Sequence, residues 1–180
     1  SVGLVTFAGG SGRFIAPRSS PGHLRVLLEE LEKLRGGGTS MVARTFHDLA
    51  ESMVRRSLIV IVSDLLDDER AVLKALHHFR HRRHEVIIFH VLDRGEIDFP
   101  FKGLADFVDM ETGERLQIDP RYVRREYLRE LEAFRETYRR ETSGGLIEYV
   151  PVDTSVSFEH MLSAYLARRH ALAAAGRGGR

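Results

Sequence analysis

The sequence predicts an α/β domain with a mostly parallel sheet flanked by helices, and three observations carry that expectation. Two apolar runs, Leu58-Ile59-Val60-Ile61-Val62 and Val86-Ile87-Ile88-Phe89, are unbroken and rich in β-branched residues, as strands covered on both faces require. A segment of helical periodicity separates them, and a parallel β-α-β unit is the economical reading of that order. More helical and strand-like segments alternate around this unit within 180 residues, a length suited to a single domain. That domain is expected over 1–172, N-terminally incomplete, with a disordered tail over 173–180.

Each element follows from local chemistry. Val2 to Ala8 and Arg13 to Ala16 read as an antiparallel hairpin, because Gly9-Gly10-Ser11-Gly12 tolerates the positive φ of a tight connection. Ser20-Pro21 supplies an N-cap and a first-turn proline for a helix whose Leu24, Leu27, Leu28, Leu31 and Leu34 recur at helical spacing. Gly36-Gly37-Gly38 stops it, and a second helix from about Ser40 to Arg55 presents Val42, Phe46, Leu49 and Met53 as its buried stripe. After the strand ending at Val62, a helix from about Asp68 to Arg82 leads to the strand Val86 to Leu92. An irregular excursion from Asp93 to Gly103 precedes a small hairpin of Phe107-Val108-Asp109 and Arg115 to Ile118 around Glu111-Thr112-Gly113. Asp119-Pro120 starts the longest helix, with Val123, Tyr127, Leu131, Phe134 and Tyr138 on one face. Ser143-Gly144-Gly145 ends it before a last strand, Leu146 to Val152. Phe158, Met161, Leu162, Tyr165 and Leu166 mark a last amphipathic helix, and the Gly/Ala/Arg tail from Ala173 is expected to be disordered.

Composition narrows the function classes. With 43% hydrophobic residues, 29% charged residues and a formal charge of +1, the chain has no polyanion-binding signature, so nucleic acid is not expected as a partner. The absence of cysteine excludes disulfides, thiolate chemistry and cysteine-ligated zinc, and suits a cytoplasmic setting. No apolar run approaches the roughly 20 residues that cross a bilayer, and no signal-peptide pattern is present. The sequence enters on Ser1-Val2-Gly3-Leu4-Val5, directly into a strand and without methionine, which leads us to expect a missing N-terminal portion that would hold any anchor.

Ligands of open α/β sheets bind at the carboxyl ends of the strands, which directs attention to Ser63-Asp64-Leu65-Leu66-Asp67-Asp68. An aspartate there can ligate a hard cation, accept a phosphoryl group or cap the next helix. Capping accounts for Asp67 or Asp68 and accounts less well for Asp64. Gly36-Gly37-Gly38-Thr39-Ser40 delivers hydroxyls at the start of a helix, where a glycine stop and a Thr or Ser N-cap are sufficient explanation. It lacks the Gly-Lys-Ser/Thr ending of a phosphate-binding loop. The third candidate is His77, His78, His81 and His84, of which His77, His81 and His84 share a helix face at spacings that could chelate a metal, but interleaved with Arg80, Arg82 and Arg83 they read as solvated surface residues of a helix end without metal.

The run Val2-Gly3-Leu4-Val5-Thr6-Phe7, then Gly36 to Ser40, then Leu58 through Leu65 in this order resembles the von Willebrand factor A fold. More closely, the chain resembles the bacterial family called domain of unknown function 58. That match rests on His84-Glu85-Val86, His90-Val91-Leu92-Asp93, Phe99-Pro100-Phe101, Asp109 to Glu114, Asp119-Pro120, and Asp153-Thr154 through Tyr165-Leu166. The resemblance implies a metal-ion-dependent adhesion site, in which Mg2+ bridges the domain to an acidic group on a protein partner. Thr39 matches the threonine of the second loop of that site and Asp64 the aspartate of the third. The first element, Asp-x-Ser-x-Ser, is absent from this sequence, so Thr39 and Asp64 alone would make a weak, open site. The resemblance further implies association with a MoxR-type AAA+ ATPase in protein assembly or maturation.

A non-enzymatic interaction module is therefore the first expectation, with Thr39 and Asp64 meeting at the carboxyl end of the strand through Val62. The alternative is an Asp-dependent phosphoacceptor or magnesium-dependent hydrolase using Asp64, with Asp67 or Asp68 helping to hold the ion. It is weakened because the later strand ends in Leu92-Asp93-Arg94, without the lysine of receiver-like domains. The family's sheet order, 3-2-1-4-5-6, would leave a gap between Val2–Ala8 and Leu58–Val62, unless Leu4 and Val5 pair directly with the Ile59 region.

Overall fold

The structure, a computed structural model, describes residues 1–7, 13–34, 42–109 and 112–177. The Gly9 to Gly12 connection, the Gly36 to Ser40 turn with Thr39, and Glu111 lie outside the described residues. Strand β1 (Val2–Thr6) pairs antiparallel with β2 (Arg13–Arg18), Leu4 opposite Ile15 and Val5 opposite Phe14. Helix α1 (His23–Glu32) begins after Gly22 with no side-chain cap; Ser20 instead gives its carbonyl to the His23 amide at 3.0 Å.

The docking face of α1 is not the leucine stripe expected from periodicity. His23, Leu27 and Glu30 are buried, whereas Leu24, Leu28, Leu31 and Leu34 are exposed. Spacing defines an amphipathic face but not the rotation at which a helix meets its neighbour. Here two polar contacts with the hairpin set that rotation: His23 Nε2 donates to the Val2 carbonyl at 2.8 Å, and Arg13 reaches Glu30 at 2.5 Å.

Helix α2 (Val42–Ser52) buries Val42, Phe46 and Ala50, with Leu49 and Met53 partly covered. Strand β3 (Leu58–Ser63) leads to α3 (Glu69–His81), which buries Val72, Ala75, Leu76 and Phe79. Strand β4 (Glu85–Leu92) follows. The expected irregular excursion contains a short helix, α4 (Arg94–Asp98), because Asp93 and Glu96 form a reciprocal capping box at its start. Strands β5 (Ala105–Val108) and β6 (Arg115–Ile118) form the second hairpin, with Gly113 taking the positive φ of its turn. Asp119-Pro120 opens a single 3-10 turn rather than the long helix itself; α5 spans Arg124–Thr142. Strand β7 (Ile147–Asp153) and helix α6 (Phe158–Arg177) complete the chain, and α6 extends well into the stretch from Ala173 for which composition predicts disorder.

The main sheet is parallel, in the order β3-β4-β7, with Ile61 beside Ile88 and Ile88 beside Tyr149. Neither β1 nor β2 pairs with it, so the direct pairing of Leu4 and Val5 with Ile59 does not occur. One face of the sheet carries Ile59, Ile61, Val86, Ile88 and Ile147 and packs beneath α2, α3 and α5 in the principal core. On the other face, Ile87 and Val150 are covered by Tyr165 of α6, with Phe89 partly buried alongside. That cover stops short of β3. Leu58, Val60 and Val62 remain 53%, 53% and 63% exposed, so β3 is buried on one face only, against the expectation drawn from its unbroken apolar run. Parallel folds produce such runs by covering both faces, and among the described residues nothing covers this one.

Candidate functional site

The carboxyl ends of β3, β4 and β7 lie along one rim, because the strands are parallel, and each is followed by an aspartate or ends in one. Those three carboxylates are used differently. Asp93 accepts from the Gly95 amide at 2.7 Å and from Thr154 Oγ1 at 3.1 Å, so both its oxygens are taken by the capping of α4 and a cross-link to the β7 end. Asp153 accepts from the Ser155 amide and hydroxyl with one oxygen and from Arg94 with the other. Those bonds hold its carboxyl at about 2, below the ordinary range. Asp64 is exposed, and one oxygen accepts from the Leu66 amide at 3.2 Å. Among the described residues its other oxygen has no partner.

The Ser63 to Asp68 loop is held from several sides. Ser63 Oγ accepts from the Leu65 amide at 3.0 Å. Leu65 takes a left-handed conformation, φ 59°, and sinks its side chain completely into the core. Asp68 caps α3, accepting from the Ala71 amide at 2.7 Å. Asp67 turns the other way and accepts from the Ala43 amide in the first turn of α2 at 3.1 Å. Capping of α3 thus accounts for Asp68, as its position predicts, whereas Asp67 does not cap α3 and instead ties the loop to the helix that follows the glycine turn. Thr39 itself lies outside the described residues.

Beneath the loop is a buried polar group that the sequence reading did not single out. His90, wholly buried on β4, donates from Nε2 to the Asp64 carbonyl at 3.0 Å, and its Nδ1 meets the Tyr149 hydroxyl on β7 at 2.5 Å. Phe134 and Tyr138 of α5 enclose the imidazole with ring centroids 5.7 and 6.4 Å away. Burial is the main reason its pKa falls to about 4, with the nearby Arg135 charge adding to it; the Asp64 carbonyl and carboxylate act in the opposite sense. The signal available in the sequence was one imidazole inside an otherwise apolar strand, Val86-Ile87-Ile88-Phe89-His90-Val91-Leu92.

The histidines of the α3 end do not form one surface face. The helix stops at His81, and His84, expected at the surface, is buried at the entry to β4. Arg83 adopts φ 61° and turns the chain inward, so His84 Nδ1 accepts from the Ser57 amide at 3.2 Å. Desolvation, with Arg82 and His78 nearby, lowers its pKa. His77 is partly exposed and His81 exposed. Among the described residues no group of three His, Cys, Asp or Glu side chains is arranged to hold a metal ion. Among the described residues Asp64 offers the one strand-end carboxylate oxygen without a partner, so a cation there would need other donors or water to complete its shell.

A family model described as protein of unknown function DUF58 matches residues 1–137. The chain belongs to the DUF58 family. The match spans β1 through most of α5, which includes the Asp64 loop and His90, while β7 with Tyr149 lies beyond it. No curated protein and no solved structure matches the chain. The parallel sheet with flanking helices is consistent with a von Willebrand factor A-type fold for this DUF58 chain. No helix among the described residues is long and apolar enough to cross a membrane.

Proposed function

We propose that this DUF58 chain is a non-enzymatic protein-interaction module whose contact region is the rim around Asp64. The observation that carries this reading is the contrast among the strand-end aspartates: Asp93 and Asp153 are committed to internal bonds, and Asp64, exposed, keeps one oxygen without a partner among the described residues. Asp64, with Thr39, would supply part of an adhesion-type site in which Mg2+ receives an acidic group of a partner protein. The resemblance makes a MoxR-type AAA+ ATPase the partner class to test first, and the absence of cysteine suits a cytoplasmic setting. Magnesium favours oxygen donors and retains water, so two protein ligands would hold it weakly unless the partner's carboxylate completes the shell.

The same free oxygen supports a second reading, an Asp64 phosphoacceptor or a magnesium-dependent hydrolase. It is disfavoured because the cation at the end of β4, Arg94, is already engaged by Asp98 and Asp153. Titration of MgCl2 followed by NMR separates the readings from their absence. The amides of Asp64 to Leu66 are expected to shift, and Asp64→Asn is expected to remove the response while unfolding at the same urea concentration within about 0.5 kcal/mol. A Mg2+ response that survives Asp64→Asn would displace the site. A labile 80 Da adduct (roughly one phosphoryl group) on Asp64 after incubation with a small phosphodonor would favour the enzymatic reading.

A further inference from the structure

We propose that His90 is a positioning residue: held by Tyr149, it fixes the main chain at Asp64 and thereby the loop that presents the free carboxylate oxygen. A carbonyl oxygen only accepts, so His90 Nε2 must carry the proton that bonds Asp64 at 3.0 Å. In the neutral ring Nδ1 is then the acceptor, and the Tyr149 hydroxyl donates to it. Turning the imidazole over would break both bonds and bury carbon against two polar atoms. The tautomer and the ring orientation are therefore fixed together.

Tyr149 is itself held against α5, its ring stacked on Tyr138 at 6.1 Å with planes 13° apart. The pin thus runs from α5 through β7 and β4 to the end of β3. It acts one residue before Leu65, whose positive φ is unfavourable for a leucine and persists only where the surroundings over-determine it. The determinants are the buried Leu65 side chain, the Ser63 hydroxyl and the His90 bond. Downstream the same loop delivers Asp67 to the Ala43 amide. Burying an imidazole in the row of Ile88 and Val86 is costly unless its nitrogens are bonded, and both bonds here serve to hold the loop.

The inference rests on the preceding reading only in making Asp64 the functional group; its geometric content is tested separately by NMR on the 180-residue chain. The variants are His90→Gln, His90→Asn and His90→Phe, with Tyr149→Phe removing only the second bond. In His90→Phe and His90→Asn the Ala43 amide is expected to exchange about tenfold faster, the equivalent of one lost hydrogen bond. The heteronuclear NOEs of Asp64 to Asp67 are expected to fall, while the Ile61 and Ile88 amides stay the most protected. His90→Gln places an amide donor near the Nε2 position and is expected to restore much of the loop order; Tyr149→Phe should loosen it less than His90→Phe. If Asp64 to Asp67 and Ala43 change only in proportion to Ile61 and Ile88, and Gln does no better than Asn, His90 is a packing residue and the proposal fails. An MgCl2 titration keeps the two ideas apart. A loosened loop in His90→Phe with no Mg2+ response in the parent chain upholds the positioning role and removes the metal reading. An unchanged loop with an unchanged Mg2+ response does the reverse. Should His90→Phe fail to fold, His90→Asn and Tyr149→Phe carry the same test.

Discussion

Protonation of His90 has a calculable sign. Its folded pKa of about 4 lies below the ordinary value of 6.5, so the unfolded chain binds this proton more readily. The neutral imidazole's contribution is fully present above pH 6.5. It is lost as pH falls towards 4, below which both states are protonated, and amounts to about 3 kcal/mol across that window. Urea unfolding at pH 7, 5 and 4 should show the parent chain losing more stability than His90→Gln; parallel losses would assign the pH dependence to other groups. Among the loop acids, Asp68→Ala is expected to cost about 0.5–2 kcal/mol because it uncaps α3, an effect Asp64→Asn should not share. Chemical denaturation of the two variants checks the contrast. Asp64 was legible in the sequence because a carboxylate directly after an apolar strand of a parallel sheet falls on the ligand-binding rim. His90 was not, because its partners sit at Asp64 and Tyr149, positions brought near only by the β3-β4-β7 pairing.

At the scale of the element, β3 is the informative case. Its period-two burial means that Ile61→Ala should cost about 2–5 kcal/mol, as for other buried aliphatic truncations, whereas Val60→Lys on the exposed side should cost little. Among the described residues the same strand ends the sheet; it is apolar from Leu58 to Val62 and carries neither proline nor charge. Such an edge is a template for pairing with another chain. Val60→Lys should therefore reduce concentration-dependent self-association in sedimentation velocity while leaving the urea midpoint nearly unchanged; association that persists would point to the exposed leucines of α1 instead. Order and type of most elements were readable, since β-branched runs and helical spacing are local properties. Burial was less so. The α1 leucines and the outer row of β3 have the composition of buried faces, but cover depends on where neighbouring elements dock. The short α4 was also missed, since its formation depends on a reciprocal cap rather than on an apolar period.

For the whole molecule, the two hydrophobic layers differ in completeness: three helices close one face of the sheet, and α6 closes only the β4 and β7 portion of the other. The parallel order also separates the strand pairs in chain length. Leu58 pairs with Glu85, 27 positions on, and Val86 pairs with Ile147, 61 positions on. Closing the longer loop costs about 0.7 kcal/mol more by chain entropy, before the packing of α5 is considered. The β3-α3-β4 unit is thus expected to lead folding, with φ values of roughly 0.5–0.8 for Ile61→Val and Ile88→Val against roughly 0–0.3 for Val150→Ala. Equal values would show β7 entering the transition state with the other two strands. During synthesis the same order has a temporal meaning. The ribosome releases β3, α3 and β4 before β7, so His90 is expected to reach the Asp64 carbonyl first and to gain the Tyr149 hydroxyl only when β7 docks. The Asp64 loop would therefore acquire its final rigidity only after β7 has joined the sheet.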